Sequence, residues 1–110
     1  GTIRGTNIIN SSDIRLKENI VDGDCIQGID KINLLRPVKY NMIADEDKEQ
    51  KTGLIAQEVQ QHIPEAVITD DSNMKGIDYS VLTVSLIKSV QELSKQVTDL
   101  KQEIELLKNN

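Results

Sequence analysis

The chain has 110 residues, of which 37% are apolar, 2% aromatic and 28% charged. This length fits one small domain, and two Tyr with neither Phe nor Trp exclude an aromatic platform for stacking single-stranded bases. The 13 basic and 18 acidic residues give a formal net charge of −5, which is the wrong sign for neutralising nucleic-acid phosphates.

The same counts argue against membrane and metal chemistry. No apolar run approaches the roughly 20 residues of a membrane span, and no charged-then-apolar leader opens the chain. We therefore expect a soluble protein without an export signal of its own. Cys25 is the one cysteine and has no Cys or His neighbour. We expect no internal disulfide, no metal and no other cofactor.

The N-terminal region changes character at Ser12. Residues 1–11, GTIRGTNIINS, are rich in Gly, Thr, Asn and Ser, which is typical of the tail of a preceding region. The next residues, SDIRLKENI, open with side chains that accept hydrogen bonds from free N–H groups at helix starts. The sequence predicts a turn there, leading into a short ordered segment.

Short helices and strands are predicted over the central residues. Asp30 is expected to cap a helix carrying Ile29, Ile32 and Leu35, which Pro37 ends. Alternating apolar residues then predict a strand at 38–43. GLIAQEVQQHIP predicts a helix, with Leu54, Ile55, Ala56, Val59 and Ile63 on one stripe. A second strand is expected at 66–69, followed by a turn at DDSN.

Two polar features in this region have a plain explanation and a functional one. Residues 45–51, DEDKEQK, are predicted to form a solvated loop. An acidic metal-binding loop is the less favoured interpretation, because the ligand spacing of a calcium-binding loop is missing. His62 stands alone beside the apolar stripe, which favours a surface residue over a catalytic one.

The C-terminal residues carry a heptad pattern. Apolar residues recur at alternating spacings of four and three, the pattern of a coiled-coil seam: Leu86, Val90, Leu93, Val97, Leu100, Ile104 and Leu107. A helix from about Tyr79 to Lys108 would be roughly 45 Å long. One narrow stripe on so long a helix must pair with other helices, and copies of the same chain are the simplest partners. The residue types at the seam lean towards two strands.

Ser12 and Lys17 have the chemistry of a nucleophile and a base. A serine hydroxyl attacks poorly until a base removes its proton, and a lysine made neutral by burial is such a base. Spacing alone is weak evidence, because Ser12 or Asp13 as a helix cap and Lys17 as a solvated charge explain the same residues.

Four segments of the sequence together resemble one family. They are SDIRLKENI, DKINLLRPVKY, GLIAQEVQQHIPEAV and GIDYSVLTVSLIKSVQEL, and they cover nearly all of residues 12–107. The chain resembles the intramolecular chaperone auto-processing domain, or S74 peptidase domain, of phage tail spikes, tail fibres and neck appendages. The resemblance implies an α+β homotrimer with a stub at 1–11, a small globular head at 12–78 and a coiled-coil helix at 79–110.

The resemblance also implies a reaction and a client. Ser12 would be the nucleophile and Lys17 the base of a self-cleaving serine peptidase that cuts the Ser11–Ser12 bond. The domain would trimerise and help to fold an upstream fibre region of the same polypeptide in the host cytoplasm during virion assembly. The cut would then release the domain from the mature fibre.

Four further residues are candidates for supporting the cut, and two alternative functions fit the same sequence. Asp13 and Arg15 match the family motif and are expected to position the Ser12 turn. Gln57 and Glu58 would face the cut or hold a loop, and a structural role is favoured. One rival function is a trimerisation module that does not cleave. Another is the equivalent self-cleaving domain of a membrane-released regulator.

Overall fold

The computed structural model describes residues 11–24 and 26–109. Residues 1–10 of the predicted stub at 1–11, together with Cys25 and Asn110, lie outside the described residues. The elements are a 3-10 turn at Ile14–Leu16, α1 at Ile29–Ile32, β1 at Val38–Tyr40, β2 at Lys51–Gly53, α2 at Ala56–His62, a 3-10 turn at Pro64–Ala66, β3 at Val67–Thr69, β4 at Lys75–Ile77 and α3 at Tyr79–Lys108. The predicted mixture of helices and short strands followed by a long helix is confirmed.

The strands form two separate antiparallel hairpins. β1 pairs with β2, placing Val38 opposite Gly53, and β3 pairs with β4, placing Val67 opposite Ile77. The predicted strand at 38–43 ends at Tyr40, and the predicted strand at 66–69 begins one residue late. Neither β2 nor β4 was predicted, because three-residue strands take their conformation from the partner strand more than from their own composition.

The helix α2 is shorter than the apolar stripe suggested. Leu54 and Ile55 precede it, and Ile55, the residue at its N-terminal cap, is extended. The helix ends at His62, because Ile63 adopts a non-helical conformation before Pro64. The half-buried His62 lies at this C-terminal end.

One small core joins α2, the second hairpin and α3. Its buried apolar side chains among the described residues are Val59, Ile63, Ala66 and Leu82. Partly buried neighbours surround them: Ile32, Leu35, Leu54, Val67, Ile77 and Val81. The core therefore combines side chains from the N-terminal and the C-terminal parts of the head.

Truncation of Ile63 should test this core. Ile63 is 0% exposed. We expect Ile63→Ala to lower the free energy of unfolding by about 2–5 kcal/mol, because it removes buried surface and leaves a cavity. Ile68→Ala is the matched control, since Ile68 is 60% exposed on β3. Denaturant titration followed by circular dichroism would measure both; equal losses in the two variants would contradict the assigned core.

The helix α3 begins and ends as the sequence predicts. Asp78 caps its N-terminus by accepting a hydrogen bond from the Ser80 backbone N–H at 3.0 Å. A hydrogen bond from the Ser80 hydroxyl, helped by this backbone bond, lowers the pKa of Asp78. The helix has 30 residues, whereas the head packs only on its N-terminal half, through residues such as Leu82, Ser85 and Ser89.

Polar side chains of α3 also hold the loop that follows the N-terminal segment. Lys88 Nζ donates to the carbonyl oxygens of Gly23, Asp24 and Ile26 at 3.1, 3.0 and 2.8 Å. Glu92 Oε1 accepts a hydrogen bond from the Ile29 N–H at 2.8 Å. Residues 23–24 and 26–29 are thus fixed to the long helix.

The predicted cap of α1 is wrong. The structure places Gly28 at the N-terminal cap and Asp30 inside the helix. Glu92 supplies the missing acceptor from a distance of more than 60 residues along the chain, so no local acidic residue is needed. A side chain at Gly28 would collide with the Glu92 carboxylate, which explains the glycine.

Candidate functional site

The 3-10 turn at Ile14–Leu16 brings its flanking residues together. Asp13 caps the turn, and the Leu16 and Lys17 N–H groups donate to the carbonyl oxygens of Asp13 and Ile14 at 2.9 and 3.1 Å. The residues on either side of the turn, Asp13 and Lys17, are extended. A tight turn between extended residues reverses the chain, so side chains five positions apart can meet.

Ser12 and Lys17 do meet. Lys17 Nζ donates to Ser12 Oγ at 2.6 Å, and both side chains are exposed in the single chain. A neutral amine in this position could instead accept the hydroxyl proton, which is the first step of serine nucleophilic catalysis. The arrangement can therefore activate Ser12 towards a carbonyl carbon placed beside it.

Asp13 and Arg15 form the frame of this turn. Arg15 donates from its backbone N–H and from Nε to Asp13 Oδ1, at 2.8 and 3.1 Å, and from Nη2 to Oδ2 at 2.8 Å. The side-chain hydrogen bonds lower the pKa of Asp13 and raise that of Arg15. The ion pair and the cap together fix the direction in which the chain leaves Ser12.

The cap should matter for any reaction at Ser12. We expect Asp13→Ala to slow the cleavage that the resemblance implies, because the turn loses both the cap and the Arg15 pair, whereas Asp13→Asn keeps an acceptor and retains more of the rate. The lowered pKa means that the ionised Asp13 contributes at neutral pH and that its contribution is lost as the pH falls through that pKa. Cleavage rates of the two variants, read by intact mass, would check this; equal rates in Asp13→Ala and the parent would contradict it.

The residues around the pair are apolar and uncovered. Ile14, Leu16, Ile20 and Val21 are 63–84% exposed, and Ser11 is exposed as well. The segment reaches the head through the loop held by Lys88. In the single chain, Ser12 and Lys17 are therefore paired but surrounded by solvent.

Gln57 and Glu58 lie on α2, and Glu58 has a partner within the head. The Glu58 carboxylate accepts hydrogen bonds from Arg36 at 2.7 and 3.2 Å, and Gln57 is exposed. Arg36 lowers the pKa of Glu58, so this pair stabilises the fold at neutral pH and is lost as the pH falls through the lowered value. Arg36 was missed in the sequence, since nothing in the spacing of two charges 22 positions apart indicates a pair.

The seven seam residues line one side of α3. They are 43–72% exposed in the single chain. At the head end, the seam runs into an apolar groove of about 240 Å³. Its lining includes Ile32, Leu35, Leu54, Tyr79, Leu82 and Leu86. The groove was also missed, because its walls come from segments that are distant in the sequence.

Neither a membrane helix nor a metal cluster occurs in the part of the chain that the structure describes. None of its helices is both long and apolar enough to cross a bilayer. Within residues 11–24 and 26–109, no three side chains of His, Asp or Glu gather as a metal site would require.

Comparison with known proteins gives a family match and several relatives. Residues 12–68, more than half of the chain, match the family described as Peptidase S74, chaperone of endosialidase. The matched range contains Ser12, Lys17 and the Glu58 helix.

The relatives are of two kinds. Myelin regulatory factor homolog 1 of Caenorhabditis elegans is 36% identical over 106 residues, which cover 89% of this chain and 11% of that protein. The long tail fiber protein Gp37 of Enterobacteria phage M1 is 30% identical over 96 residues, covering 82% of this chain and 38% of the fibre protein. Gp37 of phage K3 is 35% identical over 113 residues, covering 93% and 9%. The chain thus spans well under half of each relative.

Proposed function

Because this chain belongs to the chaperone of endosialidase family, we propose that it is a self-cleaving intramolecular chaperone. It forms a homotrimer, assists the folding of an upstream fibre region of the same polypeptide, and then cuts the bond between Ser11 and Ser12. The observation that carries the proposal is the 2.6 Å contact between Lys17 Nζ and Ser12 Oγ, inside the matched residues.

The proposed reaction is an acyl transfer within one chain. Ser12 Oγ attacks the carbonyl carbon of Ser11, and Lys17, as the neutral amine, takes the hydroxyl proton. The C–N bond breaks, Lys17 passes the proton to the departing Ser12 nitrogen, and an ester joins Ser11 to Ser12 Oγ. Water hydrolyses this ester, leaving a carboxylate at Ser11 and a new N-terminus at Ser12.

Assembly supplies what the single chain lacks. In the protomer, Lys17 is exposed and donates to Ser12, whereas a base must first give up a proton. Loss of water around an amine favours its neutral form. The apolar side chains of Ile14, Leu16 and Ile20 are exposed in the single chain. Burying them when copies associate is favourable. Under this proposal the cut follows trimerisation.

Cleavage in the same chain needs orientation more than affinity. An intramolecular reaction gains several kcal/mol from fixed geometry, and here the substrate bond adjoins its nucleophile. Each chain reacts once. Removal of the chaperone then leaves a fibre that cannot retrace its folding route, so its persistence becomes kinetic.

The phage relatives support a fibre client. Long tail fiber proteins of phages M1 and K3 contain a segment similar to nearly the whole of this chain. We place the folding reaction in the host cytoplasm during virion assembly, with the released domain absent from the mature fibre. The family's trimer is preferred to the dimer that the seam residues favour, since contacts in the head and the fibre also set the number of strands.

A second candidate function has one observation in its favour. Myelin regulatory factor homolog 1 is 36% identical over 89% of this chain, a higher identity than that of the fibre proteins described above. The same cut would then free the upstream portion of a regulator. A third candidate, a trimerisation module that does not cleave, requires Ser12 to be only a turn residue.

Replacement of Ser12 tests the cut directly. We expect the chain, expressed with its natural upstream segment, to yield a fragment that starts at Ser12, and Ser12→Ala to stay full length because the nucleophile is gone. Ser11→Ala is the matched control, since it changes the adjoining serine and keeps the nucleophile. Intact mass measures all three.

The control also decides between the candidates. Cleavage of the parent and of Ser11→Ala, with none in Ser12→Ala, supports the peptidase. Full-length protein in all three under conditions of proven trimerisation would leave the non-cleaving module as the function.

A further inference from the structure

The heptad seam continues into the apolar groove of the head. Counting back seven residues from Leu86 and Val90 reaches Tyr79 and Thr83, and both line the groove. Leu82, 4% exposed, also lines it. The seam and the groove are therefore one surface, and whatever covers the seam lies against the groove.

Residues that flank the seam indicate how copies of α3 align. Each heptad of a coiled coil has two core positions. In parallel coiled coils, the residue just before the first core position of one helix faces a residue on the neighbouring helix that lies five positions further along. That facing residue directly follows a second core position. Applied to α3, this rule gives four pairs between copies: Leu82 with Ile87, Ser89 with Ser94, Gln96 with Lys101, and Glu103 with Lys108.

Two of the four pairs are complementary, whereas the Ser89 hydroxyl already donates to the Ser85 carbonyl oxygen of its own chain at 2.7 Å. The one apolar pair lies at the head end, where the groove is, and the one pair of opposite charges lies at the far end. An antiparallel alignment would instead bring the groove to the last turns of the neighbouring helix, where the flanking residues are Lys101, Glu103 and Lys108. Burying those charges against an apolar groove is unfavourable. The sequence therefore favours parallel copies.

We propose that Ile87 of a neighbouring parallel copy fills the groove beside Leu82. The occupant is a second copy of this chain, and the inference rests on the assembly proposed above. Ile87 is 54% exposed in the single chain. It directly follows Leu86 of the seam, which the head of the same chain leaves uncovered. Its insertion would cover the groove in the head of each chain with the α3 helix of the next chain.

The contact would also reach the cleavage segment. In its own chain, Ile87 borders a surface that Gly23 and Ile26 share, within the loop that Lys88 holds. This loop leads back to Lys17 and Ser12. Insertion of Ile87 into the next head therefore sets the loop of one chain against the neighbouring head. The cleavage segment of each chain would then lie at an interface between copies.

The first test needs no substitution. Chains labelled with 13C are mixed with unlabelled chains, unfolded together and refolded, and nuclear Overhauser effects between labelled and unlabelled chains are recorded. We expect effects between the Ile87 methyl groups and those of Leu82 or Leu35. Effects between seam residues such as Leu93 and Val97 without any at Ile87 would overturn the inference.

A pair of variants gives the second test. Ile87→Lys is expected to weaken association at least tenfold in sedimentation equilibrium while the helix content of the chain is kept. Val84→Lys is the matched control, because Val84 is similarly exposed and near the same loop but lies outside the flanking positions. Equal weakening by the two variants, or none by either, would overturn the inference.

Failure here differs from failure of the proposed function. If the parent assembles and cleaves while Ile87→Lys does both equally well, only the groove contact is wrong. If the parent remains a monomer at all concentrations tested, both the assembly and the groove contact are wrong.

Discussion

Lys17→Arg is expected to abolish self-cleavage as completely as Lys17→Met. An arginine keeps the positive charge and can still donate to Ser12, but a guanidinium cannot be deprotonated and so cannot act as the base. Loss of a general base lowers rates by roughly 10²–10⁴-fold. Intact mass of the chain with its upstream segment, followed over time, would measure the loss.

This comparison separates proton transfer from positioning. Cleavage that persists in Lys17→Arg but not in Lys17→Met would show that the positive charge alone suffices. The proposed role of Lys17 as base would then be wrong. Lys39→Met is the control, since Lys39 is an exposed lysine on β1 and its replacement should leave cleavage unchanged.

Leu93→Asp is expected to prevent both assembly and cleavage. Leu93 lies in the middle of the seam, 48% exposed in the single chain. A buried leucine contributes about 1.5–3 kcal/mol, and each 1.4 kcal/mol changes an association constant tenfold. We expect association to weaken at least about tenfold, as measured by sedimentation equilibrium, with loss of cleavage in the same samples.

A second leucine on the same helix provides the control. Leu106 is 66% exposed and lies outside the seven seam positions, so Leu106→Asp should assemble and cleave like the parent. Cleavage that continues in a demonstrably monomeric Leu93→Asp chain would disprove the dependence of the cut on assembly, although Ser12 could still be the nucleophile.

The long helix and the family could be predicted because each has a signal that does not depend on the rest of the fold. Seven apolar residues at heptad spacing define α3. Likewise, Ser12, Asp13 and Lys17 lie within five positions of each other, so one local turn is enough to bring them together.

Contacts between distant segments could not be predicted. Asp30 looked like the cap of α1, yet Glu92 fills that role from the other end of the chain. The strands β2 and β4 are defined by their partners, and the groove beside Leu82 exists only once α1 and α3 have packed. Composition and periodicity describe one segment at a time, whereas these features are properties of pairs.

The attachment of the loop at 23–26 to Lys88 also orders events in time during synthesis. The residues joined by these hydrogen bonds are 62–65 positions apart. A ribosome adding roughly 5–20 residues per second needs about 3–13 s to cover that distance. Throughout this interval the newly made Ser12 segment has no anchor on the long helix. If the proposed cut depends on this anchor, the direction of translation itself disfavours a premature cut, before any second chain is needed.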